Sequence, residues 1–402
     1  MISTTLTSRP GEYVAILALC LTMVSCSSDD GSGAGGNGGD AGRRGEVLAA
    51  LGENVVVPLQ IRFASHAAAL EVALAAASAD PGGSDAAQAA WRQAMVTWQE
   101  LEMMQFGPSG SSLTVMGGSD LRARIYSWPI LNLCLVDQQT VQDGYDDPDA
   151  LEGTPGTPIG LGAIEYLVFT DSLENNCLPD SPINQEGTWD DMIDMVPQRR
   201  LDYATSLATL VRRRADELVA AWSPDGGNYI EEFTNPGRSG AVYGSAQEGL
   251  NAVSDAMFYL DKETKDMKLG EPLGITDCDA SQCPEAIESP WAEASKENVL
   301  ANLIGFQILF LGAEPGTDAL GFDDLLVDMG ASDVAADMAQ ATEAAISATE
   351  AVPGSFVEAL EQDPASMEAA HSAIQVLTDL LKTDFVSVLE LELPDRAAGD
   401  ND

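Results

Sequence analysis

Basic residues are scarce in this chain. Its 402 residues hold 19 Lys and Arg against 64 Asp and Glu, a net charge of −45, and only five of the bases are lysine. A surface this negative repels nucleic-acid phosphates and anionic lipid, so it makes both poor partners and favours cations or plain solubility. A saline habitat would leave the same composition. Histidine is scarcer still: His66 and His371 are the two. A three-histidine zinc site is therefore impossible, and no H-E-x-x-H occurs. G-x-S-x-G, a nucleotide-binding glycine loop and a C-x-x-C pair are missing too, which removes the familiar serine-hydrolase, nucleotide and thiolate-metal sites. Strand-like alternation is rare throughout.

What remains is a helix-forming chain with an export signal. Hydrophobic content is 45%, enough for one large domain or two. Arg9 precedes an apolar run, Val14 to Val24, too short to span a bilayer but suited to a signal peptide. Met23-Val24-Ser25-Cys26 follows and resembles a bacterial lipobox. The expectation is a signal over 1–25, with Cys26 lipidated and holding the protein to a membrane. Ser27 in place of aspartate favours the outer membrane, facing the periplasm. Residues 26–45, nearly all glycine, serine and aspartate, read as a flexible tether. Cys134, Cys177, Cys278 and Cys283 are an even set for an oxidising compartment. Three pairings are possible; Cys278–Cys283 across a short loop and Cys134–Cys177 are the favoured ones.

Helical periodicity then carries the body. Leu59, Phe63, His66, Leu70 and Leu74 share one face. His66 there is either a hydrogen-bonded core residue or a ligand. Trp91, Met95, Trp98 and Glu102 form one seam of the next helix, closed by Gly107-Pro108. An acid ending a Trp-Met-Trp seam is either a solvated helix end or part of an interior site. Arg122 and Arg124 stand just before Trp128-Pro129. Leu201 to Trp222 and Leu300 to Leu311 read as long core helices. Between them all lies Pro158–Thr170, P-I-G-L-G-A-I-E-Y-L-V-F-T, in which Glu165 is a lone acid among apolar residues. Glu165 either points to water from a half-buried helix or faces an interior site, where a buried carboxylate must be paired, protonated or bound to a cation.

That stretch resembles the signature of the imelysin-like proteins, bacterial envelope proteins once grouped as metallopeptidases. Their usual G-x-H-x-x-E reads here as Gly160-Leu161-Gly162-Ala163-Ile164-Glu165, with Gly162 at the histidine position. The resemblance extends, in family order, through W-R-Q-A-M-V-T-W-Q-E-L-E-M-M-Q-F-G-P, the arginine before W-P, K-L-G-E-P-L-G-I at Lys268–Ile275 and E-S-P-W at Glu288–Trp291. It implies an all-α body of two packed helical-bundle domains, 46–225 with the signature and 226–393, followed by a tail at 394–402. It places a site near the signature at the domain junction. The site residues so matched are Gly160, Gly162, Glu165, Glu102, Arg124, Trp98 and Trp128, with Arg124 expected to pair with Glu165 or Glu102.

Catalysis is the weaker expectation, since a metallopeptidase needs a metal with an open position, ligands and a base. A carboxylate site for a hard or ferric cation stays open, using Glu165, Glu102 and an added His66. The leading expectation is a non-catalytic envelope lipoprotein that binds a cation, such as iron, or another ligand, in connection with metal acquisition. A peptidase of the same family and a scaffold for an envelope protein partner are the alternatives.

Overall fold

A computed structural model describes residues 37–80, 83–152, 158–317, 319–394 and 397. The lipobox and Cys26 lie outside these residues, as does most of the tail. Among the described residues there are helices and no strands. The helices used below are α1 (Asn37–Ala50), α2 (Val57–Ala79), α3 (Ser84–Leu101), α4 (Leu121–Ile125), α5 (Leu133–Gln142), α6 (Gly160–Phe169), α7 (Val196–Trp222), α8 (Ala246–Met257), α9 (Ser295–Leu311), α10 (Ser332–Glu350) and α11 (Pro364–Leu380).

Apolar spacing explains the packing. In α2, Leu59, Phe63, Ala67, Leu70, Leu74 and Ala77 recur at three and four residues and are all buried. They face α3 and α7, and α6 packs in turn on α3 and α7. A second group holds α9, α10 and α11, joined by the segment that follows α8. The groups meet where α3 lies against α9. Gly305 permits that approach, because a Cβ there would sit 2.4 Å from the Glu100 carbonyl oxygen. The hydrophobic core is continuous across this junction.

The helix α1 begins at Asn37, inside the stretch whose composition reads as tether. It packs on α8 and on the Leu51–Val56 turn that follows it, and Arg44 donates to the Leu389 carbonyl over 2.8 Å. The start of the described chain and the Leu389 segment therefore lie side by side. The run Leu260–Gly270 after α8 is a π-helix, whose wider turn buries Asp261, Thr264, Lys265 and Lys268 together. The two disulfides are Cys134–Cys177 and Cys278–Cys283, the favoured pairings. Cys134–Cys177 encloses α6.

Candidate functional site

Helix α6 is fixed before its side chains do anything. Gly160 has φ +83, and a Cβ there would lie 2.6 Å from the Ile125 carbonyl oxygen, so the helix start requires glycine. Tyr203 donates its hydroxyl to the Pro158 carbonyl at 2.5 Å, and Trp91 donates its indole N–H to the Leu161 carbonyl at 2.9 Å. Three residues apart, Gly162 and Glu165 share one helix face. Both line a cavity of about 320 Å³, walled by Tyr126, Trp128, Pro129 and Trp291, with Glu271 and Glu285 also on its lining. The Trp128–Pro129 peptide is cis. Gly162 leaves room: a Cβ there would meet only Leu131 at 3.5 Å and Tyr126 at 3.6 Å.

Glu165 is 2% exposed. It faces a turn in which Ser289 (φ 49) and Glu293 (φ 51) both adopt the left-handed conformation. That turn aims the Ala292 N–H at its Oε1 over 3.1 Å. Burial pushes the Glu165 carboxyl up to about 8; the charge of Glu288 adds to this, while the Ala292 and Trp291 N–H groups and Ser289 oppose it. No basic side chain is paired with it among the described residues, and its raised pKa favours the protonated form near neutral pH. Burial also raises Glu271 above the ordinary carboxylate range, helped by the charges of Asp277 and Glu285.

Behind the cavity lies a buried polar network. Lys268 pairs with Glu288 at 3.1 Å, both side chains fully enclosed. Tyr126 donates to Glu288 over 2.6 Å, and Gln99 donates to the same oxygen over 3.0 Å. Lys268 also donates to Gln99 at 2.6 Å and to Asn302 at 2.8 Å. Its ammonium lies 5.4 Å from the Trp128 ring and 5.3 Å from that of Tyr259. Burial lowers the Lys268 pKa, against the pull of Glu288 and Glu102. Lys268 and Glu288 come from the second group of helices, Gln99 and Tyr126 from the first.

Several expected site residues stand elsewhere. Glu102 is fully buried, but its partners are Trp98, whose indole donates over 2.6 Å, and Arg122 at 3.1 Å. The expected arginine was Arg124; it is exposed, because α4 buries Leu121 and Ile125 and turns Arg122 toward Glu102. Neither arginine pairs with Glu165. Trp98 packs on Phe63 and does not line the cavity. His66 is half-buried between α2 and α3, with Nδ1 2.8 Å from the Thr97 hydroxyl, and does not reach Glu165. Glu165, Glu102 and His66 thus form no common ligand set. Among the described residues no group of three or more His, Cys, Asp or Glu is placed to hold a metal ion.

The model of the imelysin family, a peptidase family by its label, matches residues 61–383. The chain belongs to the imelysin family. The fold agrees with two solved structures. One is described as an iron-regulated protein A precursor from Parabacteroides distasonis, with TM-score 0.66 and 18% identity over 87% of this chain and 95% of that one. The other is an imelysin-like protein from Psychrobacter arcticum, with TM-score 0.66 and 14% identity over 88% and 98%. No curated protein is a significant match. Sequence reasoning quoted the imelysin-like segments around Lys268 and Glu288 but gave those residues no role. The one signal available was composition: Lys268 is one of only five lysines.

Proposed function

We propose that this chain is an envelope-anchored imelysin lipoprotein. Its Gly162–Glu165 cavity binds a cation, or a ligand that carries one, in connection with iron acquisition, and no reaction is catalysed there. The observation that carries this reading is Glu165: a fully buried acid on a cavity wall, met by a backbone N–H and by no basic side chain. A cation entering the cavity replaces its proton and relieves the burial penalty. The donor set does not fit a resident metal, since one buried carboxylate and no histidine line the cavity beside the two outer glutamates. The bound cation therefore keeps ligands of its own, and the aromatic walls of Trp128 and Trp291 suit a chelate better than a bare ion. The solved structure described as iron-regulated supports an iron-related role.

The test is a titration with ferric nitrilotriacetate, followed by tryptophan fluorescence, since Trp128 and Trp291 line the cavity. Saturable quenching is expected, with affinity at least about tenfold weaker in Glu165→Gln. Equal affinity in both proteins overturns the reading. Chelator-sensitive cleavage of a peptide library by the wild type, lost in Glu165→Gln, would replace it with the peptidase. Quantitative capture of one envelope protein, with no ferric binding, would replace it with the scaffold.

A further inference from the structure

Gly162 is a glycine that the fold does not need. Every other buried glycine within an α- or π-helix of the described residues has a structural reason. A Cβ would lie 2.9 Å from Ile230 at Gly52, 2.6 Å from Leu48 at Gly249 and 2.6 Å from Thr276 at Gly270. At Gly305 it would lie 2.4 Å from the Glu100 carbonyl oxygen. Gly160 has its left-handed backbone and the Ile125 carbonyl. Gly162 has an ordinary helical backbone, and a Cβ there would make only normal contacts, 3.5 Å to a Leu131 methyl and 3.6 Å to the Tyr126 ring. Alanine would fit and would lose less freedom on folding.

What glycine leaves is space, and the space belongs to the Glu165 cavity. Gly162 and Glu165 lie on one helix face, about 5–6 Å apart. The two neighbours of the Gly162 position are both carbon surfaces. One of them cannot swing in to close the gap: Tyr126 is buried and holds Glu288 over 2.6 Å. The cavity therefore has a carboxyl at one point and, one helical turn away, an apolar recess floored by the backbone of α6.

We infer that Gly162 selects the ligand class. The carbon framework of an organic chelate lies in the recess against the α6 backbone, and its cationic centre meets Glu165. A bare ion would use only the Glu165 end and would gain nothing from a missing side chain. A chelate gains contact with Tyr126, Leu131 and the backbone itself, where any side chain at 162 would stand in its place. This inference rests on the reading of the cavity as a cation site and adds the residue that admits the rest of the ligand.

The test repeats the ferric nitrilotriacetate titration on Gly162→Ala and Gly162→Leu, with a thermal melt of each. Affinity should fall at least about threefold for alanine and at least about tenfold for leucine. The alanine variant should melt no lower than the wild type. Stability and binding then move in opposite senses, which a merely structural glycine would not produce. Weaker binding together with a lower melting temperature in Gly162→Ala overturns the inference, because the glycine would then serve the fold. Full affinity in both variants, beside weakened binding in Glu165→Gln, also overturns it and leaves the cation reading standing. No saturable binding in the wild type overturns both. If Gly162→Leu does not fold, Gly162→Ala decides.

Discussion

Replacing Glu165 with glutamine should change how stability depends on pH. In the folded chain the carboxyl titrates near 8, against an ordinary value of 4.5. Below about pH 4.5 both states hold the proton and the group is silent. Between the two values the folded state keeps the proton while the unfolded chain has lost it, so stability falls as pH rises, by about 1.4 kcal/mol per pH unit. Across the whole span, from 4.5 to about 8, the loss is about 5 kcal/mol. Glutamine keeps the shape and can still accept the Ala292 N–H, but it does not ionise. Wild type and Glu165→Gln should therefore be nearly equal in urea unfolding near pH 5. Near pH 8 the variant should be more stable by several kcal/mol, up to about 5. Other buried acids are common to both proteins and cancel in the difference. A gap that is the same at both pH values would refute the reasoning, because Glu165 would then ionise normally in the folded chain.

Three further predictions follow from single contacts. Gly160→Ala should cost about 1–3 kcal/mol, because it forces a side chain onto a left-handed backbone against the Ile125 carbonyl. Gly162→Ala, two residues on, should be neutral or stabilising by up to about 1 kcal/mol, and thermal melts of the pair compare them directly. Lys268→Met should destabilise by about 3–5 kcal/mol, since Glu288 is left buried and unanswered, and the added Glu288→Gln should restore most of it in denaturant melts. Removing Cys134–Cys177, which closes a 43-residue separation, should cost about 4 kcal/mol, against about 2 kcal/mol for Cys278–Cys283 at a separation of 5, read as stability with and without reductant.

The helical body was legible because its apolar residues keep a helical period over long runs, as in Leu59 to Ala77. The inward turn of Glu165 was one of two readings the sequence left open, and burial of the whole Gly160–Val168 run decides it. Its partners were not legible. Ala292 answers it through a backbone N–H, which no residue type announces, and it comes from a turn more than a hundred positions away. Arg122 and Arg124 are alike in composition and differ only in which side of a one-turn helix they occupy. Burial of Leu121 and Ile125 settled that, and a five-residue helix is too short for periodicity to show it. His66 shares a face with core residues, but that face packs on α3 and stays away from the cavity. The Lys268–Glu288 pair joins two groups of helices, so neither residue has a local pattern that predicts the other.

The most direct measurement is diffraction at the iron absorption edge from crystals of the full chain soaked in ferric nitrilotriacetate. The account predicts one strong anomalous peak inside the cavity bounded by Trp128, Gly162, Glu165 and Trp291, and none there in Glu165→Gln crystals. Iron found only on the outer acids, with that cavity unchanged, would contradict it.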